Sequence, residues 1–177
     1  MKMHKNTHKT NRNSDTAVPK DFTLALALAD AVPVLEFSAG MLLIARKFKS
    51  KLFLLGAAMS TAAGCGKVLW KLIIACKKKN IVFLNRQFRY LMSGGFLTML
   101  LSVIVRRDSF SPEELKKKVL QLPAAAFFAA GTGGFAAMIG MAKKLDKENA
   151  KHNWIEQSTN IFSQTMILLG ICTSFGK

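Results

Sequence analysis

The feature that most constrains this chain is an apolar run from Leu52 to Cys76. Its only charged residues are Lys67 and Lys71, and it stops at Lys77, Lys78 and Lys79. Such a run outlasts the apolar stripe of a soluble helix and matches the ~20 residues a helix needs to cross hydrocarbon. Similar runs recur along the 177 residues, each bounded by basic clusters. Half the chain is hydrophobic and a fifth is charged, so a positive mean hydropathy means that the charges are segregated. A soluble all-α bundle would carry a polar face on every helix, and most of these runs lack one. The pattern is that of an all-α, polytopic membrane bundle of about five transmembrane helices. It forms a single domain over residues 22–177, preceded by a polar and basic tail over 1–21 whose composition predicts disorder.

The first span is expected from about Phe22 to Ala45, ending at Arg46, Lys47, Lys49 and Lys51. "FTLALALADA" carries an Ala-x-Ala pattern before Asp30, as a signal peptide would. The apolar stretch continues well past it, which favours an uncleaved helix. The second span is the run from Leu52 to Cys76. "IVFLNRQFRY" reads as an interfacial turn of helix leading to a third span, Leu91 to Val105, closed by Arg106 and Arg107. In "SFSPEELKKKVLQLP", Ser111 suits an N-cap, Pro112 the first helical position and Glu114 a capping box. Pro123 marks a kink before a fourth span that ends near Ala142. A charged connector, Lys143 to Lys151, precedes a fifth helix from near Asn153 to Phe175. The distribution of Lys and Arg between the two sides favours a cytoplasmic N-terminus in a plasma (inner) membrane.

The net charge of +16 is explained by Lys and Arg at helix ends meeting anionic headgroups. The chain lacks the helix–turn–helix, zinc-finger or aromatic-and-basic sheet patterns that would direct this charge to nucleic acid. Cys65, Cys76 and Cys172 form no CxxC pair and read as buried free thiols. His4 and His8 lie in the tail, and His152 reads as a solvated connector residue. No metal or cofactor is expected.

The second span holds an ordered polar arc. At about 100° per residue, Gly56, Ser60, Gly64, Lys67 and Lys71 fall on one side of the helix. The small members allow another backbone to approach, so the lysines should face protein. Asp30 and Lys67 lie at nearly equal depth on antiparallel neighbours, which predicts an Asp30–Lys67 pair, with Lys71 snorkelling to the helix end. Glu36 is deeper and its partner is not legible, although Ser60 lies near its level. In the fifth helix Asn153, Glu156, Gln157, Asn160 and Gln164 form a seam, and Trp154 reads as an interfacial anchor. The seam is explained either as interhelical hydrogen bonding or as one wall of a polar cavity shared with Asp30, Glu36 and Lys67. In the fourth helix Ala126, Ala130, Gly133, Ala137 and Gly140 make a small-residue stripe, expected to pack inside the bundle rather than to form a dimer seam. "GTGG" at Gly131 to Gly134 lacks the Lys-Ser/Thr and strand-to-helix setting of a phosphate loop.

The expected site residues are therefore Asp30, Glu36, Lys67, Lys71, Asn160 and Gln164, with Lys77, Lys78, Lys79, Arg86 and Arg89 holding lipid headgroups. Three functions compete. The leading one is a small transporter- or channel-like bundle, for which five spans argue a homo-oligomer or a partner membrane protein. The second is an accessory or assembly protein whose polar groups only hold the bundle together. The third is a membrane enzyme acting on lipid headgroups, although no acid–base pair adjoins the basic cluster in sequence. No catalytic residue is assigned.

Overall fold

In the computed structural model, the structure describes residues 23–105, 112–142 and 150–176. The expected tail, the Ser111 cap, Arg106, Arg107 and most of the charged connector lie outside these residues. Among the described residues the fold is all helical, with no strand. The helices are α1 (Leu24–Ala29), α2 (Ala31–Phe48), α3 (Lys51–Lys77), α4 (Val82–Val105), α5 (Pro112–Leu120), α6 (Ala124–Ala142) and α7 (Ala150–Phe175). Four stretches are long and apolar enough to cross a membrane: Leu24–Phe48, Lys51–Lys77, Val82–Val105 and Ala124–Met141. At most 33% of any of their apolar windows is covered by protein. Exposed side chains such as Leu97, Val105 and Ile139 accordingly form an apolar outer surface, the reverse of a soluble bundle. Helix α7 is as long as the others, but its polar seam keeps it out of this group.

Local chemistry fixes the helix ends. The Thr23 hydroxyl accepts from the Leu26 amide at 3.2 Å, and the Ser50 hydroxyl accepts from the Phe53 amide at 3.3 Å. These bonds satisfy donors that a helix start leaves open. Helices α2 and α3 end on Lys49 and Lys78, both in the left-handed region, whose amides donate to the Ala45 and Ile74 carbonyls.

The first span differs from its expected form. It breaks at Asp30 instead of running straight. Pro33 has no amide hydrogen, so the Ala29 carbonyl loses its intrahelical donor. The buried amide of Gln157 on α7 donates to that oxygen at 3.3 Å. Helix α4 also differs, since "IVFLNRQFRY" joins the third span in one continuous helix from Val82. No Gly or Pro falls within that segment to interrupt the ladder. A turn at residues 121–123 separates α5 from α6.

The helices pack in a row. Helix α4 lies on α3, α3 on α1 and α2, α2 on α7, and α7 on α6, with α5 against α6 and α7. Helices α4 and α6 stand at opposite ends of the row and do not form a packed pair among the described residues. Gly56 and Gly95 set the α3–α4 approach. A Cβ on Gly56 would lie 2.6 Å from the Gly95 carbonyl oxygen and 2.8 Å from the Met99 amide nitrogen. Gly64 admits Val34 of α2 in the same way. The small residues of the α3 arc therefore receive neighbours, as their pattern predicts. On α6 the outcome is reversed. Gly131 and Gly134 pack on Ile167 and Ser163 of α7, whereas Gly133 and Gly140 have nothing near them. The stripe through Ala126, Gly133, Ala137 and Gly140 faces outward, because α7 takes the adjacent face. The three cysteines are free and also exposed on the protein surface, not buried as expected.

Candidate functional site

Between the helices lies a cleft of about 510 Å³. Its polar wall carries Asp30, Lys67, Lys71, Glu156, Asn160 and Gln164, contributed by the α1–α2 turn, α3 and α7. Its apolar wall carries Phe37, Phe88, Met92 and Phe96 on one side and Phe135, Met138 and Ile139 on the other. Of these, Phe96 on α4 and Ile139 on α6 are exposed. Five of the six expected intramembrane residues meet here. Glu36 does not line the cleft.

The ion pair on Asp30 is made by Lys71, at 2.8 Å, and not by Lys67. The pairing moves one helical turn because of where the helices begin and end. Helix α1 starts at Leu24 and α3 ends at Lys77, which places Asp30 six residues after the start and Lys71 six before the end. Both side chains are largely withdrawn from solvent, at 8% and 12% exposure. The pair therefore sits in a medium where its attraction is strong and loss of one partner leaves an uncompensated charge. Lys71 thus pairs inside the fold instead of snorkelling. Lys67 places its Nζ 4.7 Å from the centre of the Phe88 ring, a cation–π geometry.

Glu36 forms a separate contact between α2 and α7. The Thr165 hydroxyl donates to Glu36 Oε1 at 2.6 Å and also reaches the Ile161 carbonyl at 2.9 Å. Glu36 Oε2 is buried without a hydrogen-bond partner among the described residues. Ser60 is buried against Gly95 and is not its partner. Thr165 carried no sequence signal, since it lies about 140° around the helix from Asn160 and off the amide seam. Gln87 was also missed. Its amide donates to the Ala63 carbonyl of α3 at 3.2 Å and ties α4 to α3 beside the cleft.

A second cavity, of about 320 Å³, adjoins the cleft where α4 begins. Lys67, Asn85, Arg86, Phe88, Arg89 and Tyr90 line it. Lys67 and Phe88 belong to the walls of both cavities. Arg86 and Arg89 line this space, whereas Lys77, Lys78 and Lys79 line neither space and sit exposed at and beyond the end of α3. No three His, Cys, Asp or Glu side chains converge as metal ligands among the described residues.

These features define, among the described residues, an all-helical bundle with four helices long and apolar enough to cross a membrane and with a charged cleft. No protein family, curated protein or solved structure matches this chain, so its site is read from geometry.

Proposed function

We propose that the chain is a five-span membrane protein of transporter- or channel-like type, with α7 as the fifth span and the cleft as its solute site. The single observation that supports this reading is the meeting of Asp30, Lys67, Lys71, Asn160 and Gln164 on one wall of a 510 Å³ space. Ionisable groups inside spans are costly and usually serve a pathway or a ligand. With α7 counted as a span, the polar seam faces the cleft and its cost in lipid is avoided. The proposed setting is a plasma (inner) membrane with the N-terminus cytoplasmic. The cleft then lies toward the side that carries Lys77, Lys78 and Lys79.

Cysteine accessibility tests the reading. Asn160→Cys and Gln164→Cys, each in a chain whose native cysteines are serine, are treated in sealed vesicles with a membrane-impermeant thiosulfonate. Labelling at a rate near that of Lys79→Cys is the expected result. No labelling at either position would show a dry seam.

That second outcome belongs to the accessory or assembly reading, which has support of its own. The Asp30–Lys71 pair is closed, and Gln157 answers the Ala29 carbonyl, so part of the polar wall is satisfied within the fold. A lipid-headgroup enzyme would need a carboxylate beside the basic cavity, and the described residues that line it include none.

A further inference from the structure

Three cations, Lys67, Arg86 and Arg89, surround the smaller cavity with Asn85 and Tyr90, and among the described residues no acidic one lines it. Such a lining suits an anion. Two guanidinium groups offer forked donors that match phosphate oxygens, and a lysine adds a point charge. The cavity is also joined to an apolar space. Phe88 and Lys67 stand between it and the cleft, where Met92, Phe96, Phe135 and Met138 offer a surface for a hydrocarbon chain. Phe96 on α4 and Ile139 on α6, which also line this space, are exposed on the outside of the bundle. A ligand that satisfies both cavities must have an anionic head and an apolar tail.

We infer that the protein binds one anionic glycerophospholipid, with its phosphate held by Arg86, Arg89 and Lys67 and an acyl chain laid in the cleft. The inference rests on the cleft as the ligand site proposed above, and names the class of ligand. The basic groups and the apolar wall are one site because they share Lys67 and Phe88. Charge selects the head, and withdrawing the chain from water adds to the affinity. In hydrocarbon that second contribution is largely absent, so selection in the bilayer falls to the cations.

The test uses the full-length purified chain in a non-ionic detergent. Native mass spectrometry is run with phosphatidylglycerol, with phosphatidylcholine and with glycerol 3-phosphate. In parallel, phosphatidylglycerol carrying a diazirine in its acyl chain is photolysed on the protein and the adducts are mapped. Retention of one phosphatidylglycerol over phosphatidylcholine is expected, with adducts at Met92, Phe96, Phe135 or Met138. The double variant Arg86→Gln, Arg89→Gln should reduce its occupancy about tenfold or more. Both arginines are exposed, and unchanged helicity verifies the fold of the variant. Lys67→Gln gives a second, independent reduction.

Equal retention of the two lipids, or occupancy indifferent to all three substitutions, would overturn the headgroup assignment, while cleft adducts in that case would leave the cleft standing as a ligand site. Adducts confined to the outer face of α4 would overturn the proposal as a surface lipid. Glycerol 3-phosphate competing at the lipid's own concentration would overturn the lipid source in favour of a soluble phosphate.

Discussion

Helices α3 and α4 run side by side through two regions of opposite character. Near the start of α3 they touch. Ser50 and Ser102 share a hydrogen bond of 2.7 Å, Gly56 lies on Gly95, and Ala45, Phe53, Ala57 and Met99 form a closed cluster. Near the end of α3 the same pair carries Lys67, Phe88, Arg86 and Arg89, and two cavities open beside it. In the closed half the buried Ser50 and Ser102 hydroxyls pair with each other. Charges in the open half are held by specific partners, Asp30 for Lys71 and the Phe88 ring for Lys67. Residue size at the crossing sets helix separation, and separation decides where a ligand can enter.

The most severe way to break the contrast is in the open half. Lys71→Met should destabilise the fold by about 3 kcal/mol or more, since Asp30 is left buried and unpaired. Adding Asp30→Asn should recover part of that loss, and a double-mutant cycle in detergent melts measures the coupling. Additive losses would show that the pair contributes no coupling.

Next in size is the closed half. Gly56→Ala should cost about 2 kcal/mol, because the new methyl group meets backbone atoms that cannot rotate away. Gly133→Ala is the control. Nothing lies within 4 Å of a Cβ there, and its melting should be unchanged or slightly raised.

A smaller effect joins the halves through the break at Asp30. Gln157→Leu removes the donor to the Ala29 carbonyl and should cost about 1–2 kcal/mol. Hydrogen exchange should rise in α1 and the first turn of α2 and stay level in α6.

The smallest effect separates the two lysines. Lys67→Met removes a cation–π contact worth roughly 0.5–1 kcal/mol and should cost less than Lys71→Met. Equal losses for the two substitutions would show that Lys67 is bound as tightly as the paired lysine.

The sequence by itself determined the helical class and, to within a few residues, the bounds of the long apolar helices other than the start of α4, because run length and basic termini are local properties. It also determined which polar residues would be drawn to one place. Asp30, Lys67, Lys71, Asn160 and Gln164 stand out because charge and amide groups are rare in apolar runs, and helical spacing orients them together. What tertiary structure alone decided is the partnership. Whether Asp30 meets Lys67 or Lys71 depends on one turn of helix, and that turn was set by where α1 starts and α3 stops. Thr165 at Glu36, and Gln157 at the carbonyl freed by Pro33, join residues far apart in the chain that share no periodicity. The outward turn of the α6 stripe was likewise decided by α7 taking the adjacent face, a choice between two small-residue faces that period alone cannot make.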